Sequence, residues 1–250
     1  MFGTAKHTAA LLLAGVMLTA CSGTPDGGSD GGSRGGSDDK PAASPTPKTP
    51  AAAGALTEAQ LKSAAFTDGE KVGKYTASEY TLGAPLSESY TAQPALCQPL
   101  VSLAKEVADP DPAAEVQRKV DVPDEMFGLE VAVQLRSYAD GGAATVLKNL
   151  TAAGSGCAAG FTEERAVAQA KYLKVEPAKA PALGDEAKAF RFTILDVKGE
   201  VKLYEYLTVI RSGSTTLAFR AEITDTKDVG GVPAEVVNAQ WRKFQALGTV

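Results

Sequence analysis

From Leu203 to Ile210 the chain is apolar in both phases of a two-residue repeat, the pattern of a central β-strand covered on both faces. Such a strand needs neighbours, and the C-terminal half supplies them at 162–168, 171–176, 189–197, 201–211 and 215–224. Turns at Lys198 and Gly199 and at Ser212, Gly213 and Ser214 join the last three into hairpins. In the final strand Leu217, Phe219, Ala221 and Ile223 face one way, against Ala218, Arg220 and Glu222.

The residues before this sheet mix helix and strand. Thr57 and Gln60 form a capping box that opens a short helix through Ala65. A weak strand at 75–80 and a polar loop at 82–94 follow. A second helix, starting near Pro94 or Pro99 and ending by Ala108, puts Cys97, Leu100, Val101, Ala104 and Val107 on one face. Strands are expected at 114–122 and 127–138, with Leu129, Val131, Val133 and Leu135 buried and Glu130, Gln134 and Arg136 on the polar side. Asp140 is expected to cap a third helix with an apolar stripe of Ala143, Val146, Leu147, Leu150 and Ala153. Pro233 opens a last helix with Val237, Trp241 and Phe244 on one face. The sum is a single α+β domain at 56–250, an antiparallel sheet packed against helices.

The N-terminus is of another kind. Lys6 precedes an eleven-residue apolar stretch at 8–18, too short to span a bilayer, which needs about 20 residues. Residues 1–20 therefore read as a signal peptide. Leu18, Thr19 and Ala20 before Cys21 resemble the lipobox of bacterial lipoproteins, whose cysteine takes a diacylglyceryl group and becomes the mature N-terminus. Two acyl chains anchor stably where one is marginal. Residues 21–55 are this cysteine and a Gly/Ser/Pro-rich tether, whose 34 residues after Cys21 reach about 30 Å as a coil. The chain is expected at the outer face of the cytoplasmic membrane, held there by lipid.

Export to an oxidising compartment bears on the two remaining cysteines. Cys97 begins the apolar face of the second helix and Cys157 continues the stripe of the third, so a disulfide between them is expected to pin these helices side by side.

Composition excludes several kinds of chemistry. The only histidine, His7, lies in the leader, so the mature chain lacks an imidazole for a triad, proton shuttle or zinc site. Net charge is −5 with Lys and Arg scattered singly, which argues against nucleic acid as a partner. Ser102 and Lys105 match a Ser-x-x-Lys pattern by two positions only, with none of the companion motifs of penicillin-binding enzymes. Asp185 and Glu186, adjacent in a turn after Gly184, would point to opposite faces of a strand and fail to converge on one bond. Asp109, Asp111, Asp121, Asp124 and Glu125 sit in loops without calcium-loop spacing. The seven tyrosines are dispersed, most of them suited to packing. No catalytic residue, metal ligand or cofactor is assigned, and the ligand-binding residues are unknown from sequence.

Taken together, the lipobox, the tether, the run from Cys97 to Val101, the strand and helix between Val131 and Cys157 and the turn at 183–187 resemble actinobacterial lipoproteins related to the extracellular sensor domain of the PknH-type receptor kinase family. The resemblance implies helices packed on an antiparallel sheet around a cleft that binds a small molecule or an envelope partner, without catalysis. Family members usually carry two disulfides, and only one can form here. The alternative is a cell-envelope hydrolase working without histidine through carboxylate or Ser/Lys chemistry. A transporter's solute-binding subunit would need two lobes and a hinge, for which the single apparent core leaves no room.

Overall fold

In the computed structural model the described residues are 54–80, 89–103, 107–123, 129–165, 169–196, 198–223 and 226–249, all within one compact unit. The signal peptide, Cys21 and the tether up to residue 53 lie outside them, as do Ala104, Lys105, Asp124 and Glu125. Ten strands form one antiparallel sheet: β1 (Lys71–Val72), β2 (Tyr75–Ser78), β3 (Thr91–Gln93), β4 (Ala114–Asp121), β5 (Leu129–Ser137), β6 (Phe161–Glu164), β7 (Gln169–Pro177), β8 (Glu186–Leu195), β9 (Lys202–Ser212) and β10 (Thr215–Ile223). Their spatial order is β1-β2-β4-β5-β10-β9-β8-β7-β6-β3. The strand that is apolar in both phases, β9, lies between β8 and β10, with Tyr206, Leu207, Val209 and Ile210 all buried. The two edges are strands of two and three residues, short enough to offer little template for edge-to-edge pairing.

Helices cover both faces. On one, α1 (Glu58–Ala64) and α4 (Ala234–Gln245) pack Leu61, Val236, Val237 and Trp241 against Val131, Val133, Leu217 and Phe219. On the other, α2 (Gln98–Val101) and α3 (Gly142–Gly156) pack Leu100, Val146, Leu147 and Leu150 against Phe190, Phe192, Leu207 and Val209. The α1 capping box is present: Thr57 Oγ1 accepts from Gln60 N at 3.3 Å, and Gln60 Oε1 accepts from Thr57 N at 2.9 Å. The Cys97–Cys157 disulfide joins the residue before α2 to the one that ends α3, with Cα atoms 5.9 Å apart.

Four elements differ from the sequence reading. The second helix is only a 3-10 turn at Ala95–Cys97 followed by the single turn α2; Ser102 is already extended, and the carbonyls that would continue the helix are taken by Arg220. Within the expected polar loop, Thr91–Gln93 form the edge strand β3 against β6. Asp140 does not cap α3; it takes φ 50°, and the cap is Gly141 at φ 78°, a left-handed conformation that glycine adopts without steric cost. Finally, beyond Glu130 the polar phase of β5 is covered, with Gln134 and Arg136 buried.

The end of α3 explains one glycine, Gly154. A Cβ at Gly154 would lie 2.3 Å from the buried Phe190 ring, so glycine is what lets α3 approach β8. Gly154→Ala is expected to destabilise the domain by about 1–3 kcal/mol through overpacking. Helix propensity alone predicts a gain of about 1 kcal/mol, so the sign of the shift in a urea melt decides between the two. For the disulfide, closing a loop with a sequence separation of 60 gives about 4 kcal/mol by chain entropy. A Cys97→Ser, Cys157→Ser pair that lost less than about 1 kcal/mol would show that the bridge constrains little.

Candidate functional site

The face of the sheet that carries α2 and α3 is apolar under α3 and polar beyond it. Register places Glu130 of β5 opposite Glu222 of β10, and Glu222 opposite Glu205 of β9, so three carboxylates sit in one row across three adjacent strands. Like charges directly opposite on a sheet destabilise it. Two residues along, the next row on this face holds Ala132, Arg220 and Leu207, and the Arg220 guanidinium lies against the carboxylates.

Arg220 is only 3% exposed and its donors are shared among four elements. Nη2 donates to Glu205 Oε2 at 2.6 Å and to the Tyr172 hydroxyl at 2.7 Å. Nη1 donates to the Leu100 and Val101 carbonyls at 2.9 and 3.4 Å, the C-terminal end of α2, where helical carbonyls have no intrahelical partner. Nε stands 3.6 Å from Glu222 Oε1. The cluster continues through the Tyr172 hydroxyl, which donates to Glu163 Oε2 at 2.8 Å, and through Glu163, which accepts from Arg165 Nε. The Arg165 guanidinium in turn sits 4.9 Å from the Tyr90 ring centroid, a cation–π distance. At the other end, Tyr80 donates to Glu130 Oε1 at 3.2 Å, and Lys119 stands 2.7 Å from Asp121 and 3.8 Å from Glu130.

The electrostatics follow from this crowding. Burial would lower the Arg220 guanidinium, but Tyr172, Glu205, Glu222 and Glu163 around it hold its pKa above the ordinary value. Burial, with Glu205 next, pushes the Glu222 carboxyl up to about 7, although Arg220 opposes it. The Glu222 side chain nevertheless keeps 41% of its surface open. It is therefore crowded by protein atoms yet reachable from solvent. Burial and the acidic neighbours also raise Tyr172 well above the usual phenol range, so it stays protonated as a hydrogen-bond donor. A group that changes charge near neutrality beside fixed carboxylates can accept a cation or a hydrogen-bond donor when ionised and refuse it when protonated.

Asp121, Tyr80, Tyr90 and Tyr172 reach this cluster, and the other residues singled out in the sequence lie elsewhere. Cys97 and Cys157 are bonded. Ser102 is fully buried just past α2. Asp185 is structural: it accepts from Gly213 N at 2.8 Å and Arg211 Nη1 at 2.9 Å, while Gly184 takes φ 67°. Glu186 starts β8 and pairs with Lys188 at 3.3 Å, so the two carboxylates serve different neighbours. Asp121 is paired with Lys119, and the Asp109 carbonyl accepts from Asn149 Nδ2. Among the described residues no group of three His, Cys, Asp or Glu is placed to hold a metal ion. Sequence reading missed the glutamate row because its members lie in three separate strands; the available signal was a glutamate in the phase shared with Ala218 and Arg220, on a strand whose other phase is apolar.

A folded-state carboxyl near 7 against 4.5 in the unfolded chain means the folded state binds this proton more tightly. Its stabilisation is fully present below the unfolded value and is lost as pH rises through about 7. The wild type should therefore lose more Tm between pH 5 and 8 than Glu222→Gln, whose side chain stays neutral. Parallel pH profiles for the two would remove the assignment.

Compared by sequence, no family model and no curated protein matches the chain. Among solved structures, an uncharacterized protein from Mycobacterium smegmatis, an Rv0999 ortholog, aligns over 76% of this chain and 93% of its own at 15% identity, with a TM-score of 0.35. The extracellular domain of PknH from Mycobacterium tuberculosis aligns over 78% of this chain and 98% of its own at 10% identity, with a TM-score of 0.53. By this last alignment the α+β sheet domain of this chain shares the fold of the PknH extracellular domain.

Proposed function

We propose that this chain is an extracytoplasmic lipoprotein, anchored through Cys21, whose domain binds a small molecule or an envelope partner at the glutamate row and does no chemistry on it. The row itself carries the reading. Three carboxylates held side by side across β5, β10 and β9 cost stability, and a ligand bringing positive charge or hydrogen-bond donors relieves that cost. Glu222 and Glu130 are each about two-fifths exposed, so a ligand has access. The Cys97–Cys157 bridge suits an oxidising compartment, and a fold shared with an extracellular domain supports the same location.

A second reading rests on the same residues. Opposite positions on paired strands bring Cβ atoms about 5 Å together. A carboxyl raised to about 7 beside a second carboxyl is the kind of pairing a retaining glycosidase uses as acid and nucleophile. Against this, Glu205 is occupied by Arg220 at 2.6 Å and Tyr172 at 3.3 Å, which leaves it poorly placed to attack.

The test is mass spectrometry of the full chain extracted from the membranes of an exporting actinobacterial host. Denatured protein should begin at Cys21 and carry a diacylglyceryl mass, absent in Cys21→Ser. Under native conditions an additional adduct should leave on denaturation and be lost in Glu222→Gln. A denatured mass lacking lipid would sink the anchor. A bare native chain, or turnover of cell-wall glycan abolished by Glu222→Gln, would sink the binding role.

A further inference from the structure

On the opposite face of the sheet, β8, β9, the segment at 178–181 and the start of α4 enclose a cavity of about 250 Å³. Small-molecule pockets usually run from about 300 to 1,000 Å³, so the space suits a small ligand. Its walls are mainly apolar: Ala178, Pro181, Ala189, Val232 and Val237.

The charge in this lining is one-sided. Lys179 contributes an ammonium, exposed and without an ion pair among the described residues, and no carboxylate lines the cavity. The nearby acids already have partners or neighbours of their own. Asp228 is held by Arg191 at 2.6 Å, by the Tyr206 hydroxyl and by Gly230 N. Glu235 lies against Gly73 in the β1–β2 turn. The first turn of α4 borders the cavity through Ala234; its N-cap, Pro233, supplies no side-chain cap, and Glu235 is the acidic residue of that turn.

Thr208 points to an occupant independently. It lines the cavity from the central strand β9 and is 6% exposed, and its hydroxyl has no hydrogen-bond partner among the described residues. Its hydroxyl opens into the cavity, where it is free to donate to a ligand oxygen.

We propose that this cavity binds a short-chain carboxylate. Its apolar chain lies among Ala189, Val232 and Val237; its oxygens accept from Thr208 and face the α4 N-terminus, with Lys179 balancing the charge. The site is separate from the glutamate row, which lies across the sheet and repels anions.

Hexanoate, with eight non-hydrogen atoms, is the probe, and hexanamide is its uncharged match. Calorimetric titration of each into the full chain in phospholipid nanodiscs, with empty nanodiscs subtracted, should give saturable hexanoate binding at least tenfold tighter than hexanamide. Lys179→Met should bring hexanoate down to the hexanamide level, and Ala234→Phe, at an exposed position on the rim, should abolish both. Glu222→Gln should leave hexanoate binding unchanged, which separates this site from the proposed ligand site. Absence of saturable hexanoate binding, equal affinity for the two probes, or full binding in a folded Ala234→Phe chain each overturns the proposal. If Ala234→Phe does not fold, Lys179→Met decides alone: unchanged hexanoate affinity there overturns it.

Discussion

The Arg220 guanidinium is the contact on which this side of the molecule depends. A buried cation is tolerated only where charge and hydrogen bonds are both answered, and removing a partner from such a pair commonly costs about 3–5 kcal/mol. Here the answers come from β9 (Glu205), β7 (Tyr172) and the end of α2 (the Leu100 and Val101 carbonyls). By ending α2 after one turn, Arg220 also fixes the helix that follows Cys97. Cys97 is bonded to Cys157 at the end of α3, and α3 seats on β8 because Gly154 has no side chain. The helical layer is thus held at one end by an ion and at the other by a covalent bond.

The same cation makes the glutamate row tolerable. Without it, Glu130, Glu222 and Glu205 would face one another across β5, β10 and β9 with little to offset their repulsion. With it, the charge is unevenly settled. Glu205 has the short contact at 2.6 Å, whereas Glu222 has only the 3.6 Å approach of Nε and two carboxylates beside it. That asymmetry adds to burial, the main cause, in keeping the proton on Glu222 near neutrality.

Periodicity made much of the architecture legible. The two-phase apolar run of β9, the alternating β10, the α3 stripe, the capping box at Thr57 and the pairing of Cys97 with Cys157 were all readable, because burial and local hydrogen bonding leave a regular trace. The polar floor was not. An alternating strand tells which side chains share a face, but it cannot tell whether the polar face meets water or another layer. Gln134, Arg136 and Arg220 therefore looked like surface residues. The long second helix failed for a related reason: nothing local stops it after Val101, and the group that takes its carbonyls is a side chain 119 residues away. Asp140 lost the cap to Gly141 because a backbone turn with positive φ places glycine there.

β9 shows what a sheet covered on both sides makes available. Glu205, Leu207 and Val209 project to the α2 and α3 face, while Tyr206, Thr208 and Ile210 project to the α1 and α4 face. Two chemically opposed surfaces are thereby built on one strand: acidic and open around Glu205, apolar and cationic around Thr208. Because adjacent residues on a strand point to opposite faces, their side chains are kept apart by the backbone itself. β9 is paired along its length on both sides, by β8 and by β10, so shifting one face without the other would require breaking ladder hydrogen bonds. A charge change at Glu222 acts on its neighbours across the row, and the rigidity of this central pairing confines that action to its own side of the sheet.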